Sequence, residues 1–248
     1  MDTKELITFK DNLRKVLINV YIKSGYNWEY FYKSAINIRD NSVAKCKDFK
    51  DKSMAGQVRG EIAEILLEVK IMDYAKKHNL PWFLIKSLTI NRSDGKARKT
   101  TELDLTLFTP THIILFEVKS RKGKYKLVDE CNLICSGGWG YDANIYKQNI
   151  MHLDNLRFYL GDAIITLEKE KPFKIVLFLD DICECQDLRT QVYKQKFPAL
   201  YLNQVDKFLE TEAKYQSKVW DMDKLKTLLK KMNSLSEENF LKHMNVKK

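Results

Sequence analysis

The sequence predicts an α/β fold in which a mixed central β-sheet is flanked by helices, with helical extensions at both ends of the chain. Three observations lead to this prediction. The hydrophobic fraction is 44% beside a charged fraction of 31%, which is typical of a folded globular protein. Apolar runs with strand character lie in the middle of the chain. Apolar residues at helical spacing lie on both sides of these runs.

Helical periodicity dominates the first part of the chain. Residues 4–22 carry apolar side chains three or four positions apart, and a second long helical pattern begins at Ser53. The apolar stripe of this second helix comprises Val58, Ile62, Ile65, Leu66, Val69 and Met72. Three glutamates, Glu61, Glu64 and Glu68, lie along a neighbouring face of the same helix. The segment "HNLPWF" ends the helix at its proline.

The strands follow, and they set the expected domain plan. The segments "FLIKSLTI", "ELDLTLF", "HIILFEVKS" and "FKIVLFLDD" read as strands, with the turn "TPT" between the second and third. A helix is predicted over about 143–160, and the tail from Pro198 is predicted to be helical. We therefore divide the chain into an N-terminal helical extension (1–52), a core (53–185) and a C-terminal helical region packed on the core (186–248).

The net charge favours a polyanionic partner. The chain carries 43 Lys and Arg against 33 Asp and Glu, a formal charge of +10. A basic surface attracts nucleic acid because neutralised phosphates release counterions. Two basic clusters flank the second and third strands, at Arg92, Lys96, Arg98 and Lys99, and at Arg121, Lys122, Lys124 and Lys126. Their spacing suits contact with backbone phosphates, although charge alone leaves DNA, RNA and a merely solubilising surface open.

Polar residues interrupt the second and third strands where a core strand would carry apolar side chains. If these strands form a hairpin, Asp104 lies opposite or diagonal to Glu117, and Lys119 shares the face of Glu117. Two carboxylates suit Mg²⁺, which keeps water or phosphate oxygens in its other positions. The metal acidifies a water and the lysine stabilises developing negative charge, as phosphodiester hydrolysis requires. The alternative is a Glu–Lys salt bridge beside an exposed aspartate.

Several segments, in this order along the chain, resemble the PD-(D/E)xK nuclease superfamily and, within it, the nuclease-related domain, NERD. They are "GEIAE" (Gly60 to Glu64), "TELDLTL", "FEVKS" and "NIYKQNIMHLDNL". The resemblance covers roughly residues 56–180 and implies a restriction-endonuclease-like core. In that core a helix bearing a glutamate precedes a strand bearing Asp and a strand ending in (D/E)-x-K. This chain lacks the proline before the aspartate, a variation that the superfamily tolerates.

The resemblance implies that Asp104 and Glu117 are metal ligands and that Lys119 is the catalytic lysine. The implied cofactor is Mg²⁺, with Mn²⁺ as a substitute. The implied partner is nucleic acid, with DNA favoured. A homodimer would suit a cut on both strands, but the sequence leaves the oligomeric state open.

The resemblance also implies roles for helix residues. One glutamate of the first core helix takes part, and either Glu61 or Glu64 fits the spacing; we favour Glu64 as the further metal ligand. Gln148 matches a glutamine that follows the core motif in many relatives, where it supports the lysine or contacts substrate. For Gln148, a polar residue on an exposed helix face is an equally good interpretation.

The cysteines and the apolar runs bear on the location of the protein. No signal-peptide layout opens the sequence and no apolar run approaches the ~20 residues that span a bilayer. We therefore expect a cytoplasmic protein with no membrane association and with reduced thiols. Cys131 with Cys135 and Cys183 with Cys185 form two close pairs that a metal site could use. Their spacings match no common zinc module, which favours unrelated thiols.

The leading interpretation is a Mg²⁺-dependent nuclease that acts on DNA in bacterial or phage DNA processing or defence. One alternative is a catalytically silent nucleic-acid-binding protein with the same fold. A second is an interaction protein that binds a partner through its terminal helices. The sequence leaves endonuclease or exonuclease action and sequence preference open.

Overall fold

The computed structural model describes residues 3–48, 52–91, 100–128, 132–135, 143–160, 173–215, 222–223 and 225–227. The helices are α1 (Thr3–Lys23), α2 (Trp28–Asp48), α3 (Lys52–Lys77), α4 (Ile145–Leu160), α5 (Gln191–Lys196) and α6 (Leu202–Ala213). The strands are β1 (Phe83–Asn91), β2 (Thr100–Phe108), β3 (Ile113–Lys119), β4 (Gly123–Val128), β5 (Asn132–Cys135), β6 (Ala143–Asn144), β7 (Phe173–Leu179), β8 (Cys183–Asp187) and β9 (Ala199–Tyr201). The predicted α/β class is confirmed.

The strands form two sheets. The larger sheet has the order β1-β2-β3-β7-β9, antiparallel from β1 to β3 and parallel from β3 to β9, so the predicted mixed central sheet is confirmed. The smaller sheet has the order β6-β5-β4-β8, with β4 parallel to β8. Because β3 and β7 are parallel, their carboxyl ends lie side by side.

Helices cover both faces of the larger sheet. Helix α4 packs on one face through apolar residues such as Leu153 and Leu156. Helices α3 and α6 pack on the other face through residues such as Leu67 and Val205. The central strand β3 is buried on both faces, which explains why its sequence is almost continuously apolar.

Helix α3 also forms a separate apolar cluster with α1 and α2. The predicted stripe from Val58 to Val69 is buried in this cluster, but Met72 is exposed, so its place in the stripe was predicted wrongly. Helix α3 is thus buried on two sides, because it lies between the N-terminal helices and the sheet. The domain boundaries at 52/53 and 185/186 stay a prediction.

Some segments that the sequence analysis did not assign to strands are strands. The stretch after β3 contains β4 and β5, and β9 precedes the helix of the predicted C-terminal tail. These strands are short, and β4 and β9 pair with strands distant in the sequence, β8 and β7. Local periodicity is therefore too weak to identify them. At the start of β4, Gly123 has φ +130°, a conformation that favours glycine.

The regular alternation of β2 breaks at Asp104. Leu105 and Leu107 pack on the α3 face, whereas Leu103 packs on the α4 face, although the three leucines alternate with polar residues in the sequence. The pairing of β1 with β2 skips the Ser87–Asp104 position, and Ser87 has φ +51°. The polar interruption of the strand therefore coincides with a change in backbone geometry.

Candidate active site

Strands β2 and β3 bring Asp104 and Glu117 together. The ladder between these strands ends at the pair Leu105–Phe116, and the same register continued by one residue sets Asp104 opposite Glu117. Beyond the ladder, the Val118 N–H donates to Asp104 Oδ2 at 2.8 Å. The predicted proximity of the two carboxylates follows from this register.

Polar side chains surround Glu117, which is 2% exposed. Lys119 Nζ forms an ion pair with Glu117 Oε1, and Gln148 Nε2 donates to the same oxygen at 3.0 Å. Asn149 Nδ2 donates to Glu117 Oε2 at 3.1 Å. His152 Nδ1 lies 4.0 Å from that oxygen. Helix α4 thus supplies three polar side chains to one carboxylate.

The charges at this site are only partly balanced. Burial and then the charges of Glu117 and Glu64 raise the pKa of Asp104 well above its ordinary value, against the opposing effects of Lys119 and the Val118 N–H. Burial lowers the pKa of Lys119, but the charges of Glu117 and Asp104 outweigh it, so this pKa is raised overall. Lys119 is therefore a protonated ammonium beside an excess of carboxylate.

The glutamates of α3 lie on the opposite side of the sheet, around Lys86 of β1. Glu61 is 2% exposed and forms ion pairs with Lys86 and, at 3.5 Å, with Lys10 Nζ of α1. Glu64 Oε2 lies 3.6 Å from Lys86 Nζ. The two carboxylates that the spacing left as alternatives therefore share one buried lysine.

Glu61 and Glu64 differ in their electrostatic effect on Asp104 of β2. Glu64 is the α3 carboxylate whose charge raises the pKa of Asp104. Burial raises the pKa of Glu64 itself to about 7, with the charge of Lys86 opposing and that of Glu61 adding to the rise. Glu64 is thus electrostatically linked to the strand carboxylates, whereas Glu61 is engaged by two lysines.

The donor set fits a hard cation held by two carboxylates. Within the described residues, no three His, Cys, Asp or Glu side chains are grouped as metal ligands, so Glu64 does not complete a three-residue set. The half-buried Asp104 and the buried Glu117 nonetheless form an acidic pair, and Mg²⁺ binds one or two carboxylates and retains water. A cation between them would relieve the repulsion that raises the pKa of Asp104.

The cysteines fall partly outside the described structure. Cys183 and Cys185 are free thiols on β8, and burial raises their pKa values to about 12 and about 11. Cys131 and the side chain of Cys135 lie outside the described residues. Metal binding by these cysteines therefore stays an open alternative.

Half of one predicted basic cluster lies on a strand. Lys122, Lys124 and Lys126 are exposed; Lys124 and Lys126 occupy alternate positions of β4 and therefore project from one face of the smaller sheet, and Lys122 directly precedes that strand. Lys124 Nζ lies 4.0 Å from a Glu184 carboxylate oxygen, and Arg121 is half-buried. The other cluster, Arg92, Lys96, Arg98 and Lys99, lies outside the described residues.

The sequence analysis missed three residues of this region. Asn149 is next to Gln148 in sequence and contacts the other oxygen of Glu117. Lys86 and Lys10 pair with the α3 glutamates from elements that sequence spacing cannot relate to them. Of these three, only Asn149 had a usable signal, because it directly follows Gln148, which the family resemblance had already singled out.

An α/β core with two carboxylates and a lysine on adjacent strands, at the carboxyl end of β3, defines a candidate hydrolase site. Residues 59–179 match the model of the NERD family, the nuclease-related domain. The match confirms, over this segment, the family resemblance predicted from the sequence. The match spans slightly less than half of the 248 residues and leaves α1 and α2 outside it.

The match supports a nuclease-related function and an interaction with nucleic acid. Neither the curated proteins nor the solved structures contain a match to this chain. In the part of the chain that the structure describes, no helix is long and apolar enough to cross a membrane.

Proposed function

We propose that this protein is a Mg²⁺-dependent nuclease of the PD-(D/E)xK type that hydrolyses phosphodiester bonds of DNA, in bacterial or phage DNA processing or defence. The observation that carries the proposal is the arrangement of Asp104, Glu117 and Lys119. The two carboxylates meet where the middle of β2 adjoins the carboxyl end of β3, and the lysine is paired with Glu117. Buried charge of this kind is costly and is typical of functional sites.

Each side chain has a role in the proposed reaction. Asp104 and Glu117 would hold Mg²⁺, which supplies charge neutralisation at the phosphate and a more acidic water. Lys119 is protonated in this setting, so it stabilises negative charge that develops on the phosphate and orients the attacking water. Gln148 and Asn149 fix the Glu117 carboxylate through one hydrogen bond to each oxygen. Glu64 contributes negative charge near Asp104.

The basic strand β4 gives the proposed enzyme a surface for the substrate backbone. The exposed side chains of Lys124 and Lys126 lie on alternate residues of this strand, and that of Lys122 lies directly before it. Contacts of this kind bind phosphates without reading sequence. The same surface gives no preference between DNA and RNA, so the choice of DNA rests on the family resemblance.

Cleavage assays test the proposal directly. Wild type, Lys119→Ala and the control Lys33→Ala would be incubated with plasmid and single-stranded DNA in Mg²⁺, Mn²⁺ or EDTA. Lys33 is a suitable control because it is exposed and pairs only locally, with Glu29. We expect metal-dependent cutting by wild type and the control, and none by Lys119→Ala. Cutting by Lys119→Ala at the wild-type rate would exclude this site.

One observation favours a silent binding protein as the second candidate. Both oxygens of Glu117 already accept hydrogen bonds from protein side chains, which competes with metal binding. A protein of this kind would bind DNA but would not cut it with any of the metals. Calorimetric titration with Mg²⁺ and Mn²⁺ separates the two, because only the enzyme needs a metal-binding carboxylate pair.

Binding measured at two salt concentrations tests the nucleic-acid partner independently of cutting. We expect the affinity of wild type for duplex DNA to fall steeply between 50 and 200 mM salt. Lys124→Gln combined with Lys126→Gln should weaken binding and lower the salt slope by about one per lysine. Salt-insensitive or absent binding would favour the interaction protein instead.

A further inference from the structure

Helix α2, one of the two N-terminal helices, reaches the carboxyl end of β7. Helices α1 and α2 lie outside the segment that matches the family, yet several polar side chains of theirs contact the core. Tyr32 of α2 donates to Asp181 at 2.6 Å. Arg39 of α2 contacts Asp180, the residue that directly follows β7. The carboxyl end of β7 is therefore covered by a part of the chain outside the family domain.

The contact between Arg39 and Asp180 is buried. Arg39 is 6% exposed and Asp180 is 4% exposed. Nη1 of Arg39 lies 3.3 Å from Oδ1 and 3.4 Å from Oδ2 of the Asp180 carboxylate. Burial raises the pKa of Asp180, while the Ser120 hydroxyl and the Arg39 charge oppose the rise. Both partners thus stabilise the ionised carboxylate.

Asp180 in turn contacts the chain around Lys119. The Asp180 N–H donates to the Lys119 carbonyl oxygen at 3.1 Å. The hydroxyl of Ser120, the next residue, donates to Asp180 Oδ2. Asp180 therefore holds the backbone at Lys119 through two hydrogen bonds, one to the Lys119 carbonyl and one from the Ser120 side chain. A shift of this backbone would displace the ammonium group at the end of the long Lys119 side chain.

We propose that Arg39 is a positioning residue, which holds Asp180 and through it the backbone of Lys119 and Ser120. The N-terminal helix pair is then part of the catalytic unit rather than an appendage of the nuclease-related domain. This inference rests on the proposed function, because the step that it supports is the action of Lys119 on the phosphate. It adds a requirement that the family domain alone does not meet.

Variants on the two sides of Asp180 test the inference in the full chain. Arg39→Gln removes the cation, Arg39→Lys restores the charge without the guanidinium, and Ser120→Ala removes the hydroxyl from the other side. Tyr32→Phe is the matched control, because it removes a contact of the same helix to the neighbouring Asp181 only. Cleavage would be measured well below each melting temperature, together with hydrogen exchange of the Asp180 amide.

We expect kcat to fall about 10- to 100-fold in Arg39→Gln, with little change in KM, because misplaced catalytic groups lose rate rather than binding. Ser120→Ala should show the same pattern more weakly, and Arg39→Lys should recover part of the rate. Exchange of the Asp180 amide should be faster in Arg39→Gln and Ser120→Ala than in Tyr32→Phe. Ser120→Ala also serves if Arg39→Gln fails to fold.

Two results would overturn the inference. One is an equal loss of kcat in Tyr32→Phe, which would mean that general docking of α2 matters rather than Arg39. The other is unchanged Asp180 exchange and unchanged kcat in Ser120→Ala. If wild type cuts no substrate, the proposed function fails, and the exchange data alone then decide whether Arg39 holds the Lys119 backbone.

Discussion

Each end of strand β3 has a buried carboxylate nearby, Glu212 or Glu117, and the charged groups around the two carboxylates differ. Beyond the amino end, Glu212 of α6 lies 2.6 Å from Lys174 Nζ and 3.1 Å from His112 Nδ1. At the carboxyl end, Asp104 adjoins a second carboxylate, Glu117, whose ion pair is with Lys119. Glu212 alone therefore faces two basic side chains, whereas Asp104 and Glu117 together share Lys119 and the more distant His152.

The pKa directions reflect this difference. Burial raises the pKa of Glu212, but hydrogen bonds from His112 and Lys174 outweigh it, so the pKa is lowered overall. Burial and neighbouring carboxylates raise the pKa of Asp104. Burial alone thus does not mark a functional carboxylate. A carboxylate that is shielded from solvent and lacks enough positive charge around it is a better mark of function, because such a group does not stabilise the fold.

The largest expected effect is that of Asp104→Asn, which removes the excess charge. Cutting should fall at least about 100-fold, since a metal-holding carboxylate is lost. The free energy of unfolding of the metal-free protein should rise by about 1 kcal/mol, because the repulsion by Glu117 and Glu64 disappears. Denaturant unfolding in EDTA measures the second effect. A destabilised Asp104→Asn variant would contradict the charge imbalance at this end.

A smaller loss is expected for Asn149→Ala, which leaves the charges intact but frees one oxygen of Glu117. We expect activity to fall about 10- to 100-fold, as for other side chains that orient a metal-holding carboxylate. Asn155→Ala is the control on the same helix. Both asparagines donate to the carbonyl four residues earlier, at 3.0 and 2.8 Å. Equal losses in the two variants would indicate a general defect of α4.

Glu212→Gln, near the amino end of β3, should have the opposite effects to those of Asp104→Asn. Glu212→Gln leaves Lys174 and His112 without a carboxylate partner, and the protein should lose about 2 kcal/mol of stability. Steady-state cleavage at a temperature well below the melting point should remain at the wild-type rate. Loss of cleavage by the folded Glu212→Gln variant would show that the two ends are not independent.

The smallest expected effects are in the pH dependence of stability, to which Glu212 and Asp104 contribute with opposite sign. The folded pKa of Glu212 is below its ordinary value of 4.5, so its stabilisation is complete above 4.5 and is lost as pH falls through the folded pKa. The folded pKa of Asp104 is above 3.8, so the metal-free protein gains stability from this group as pH falls towards 3.8.

Unfolding curves of both variants across this range separate the two contributions. The stability advantage of wild type over Glu212→Gln should shrink below pH 4.5. The advantage of Asp104→Asn over wild type should shrink as the pH approaches 3.8. A gap between Asp104→Asn and wild type that is constant with pH would contradict the raised pKa of Asp104.

Much of the fold was predictable because the signals were local. The long helices α1, α3 and α4 have apolar periodicity, β1, β3 and β7 are largely apolar over seven to nine residues, and β2 alternates apolar and polar residues. The strands β4, β8 and β9 were not assigned, because each is short and is stabilised by a partner distant in the sequence. Two of the four basic residues that follow β3, Lys124 and Lys126, therefore lie on a strand that the sequence did not reveal.

At the candidate site, the sequence by itself determined which chemical groups occur in order along the chain. The pattern of Asp104, Glu117 and Lys119 in a strand–turn–strand segment was enough to predict that the two carboxylates meet. The same pattern, with the glutamate-bearing helix before it, led to the family that the match then confirmed.

Only the tertiary structure decided how these groups are balanced and held. Spacing left Glu61 and Glu64 equivalent, and their separation depends on Lys10 and Lys86, which reach them from α1 and β1. Arg39 and Asp180 are 141 residues apart in sequence. The physical reason is that electrostatic interactions act through space, so charge balance depends on elements that periodicity along one segment cannot reveal.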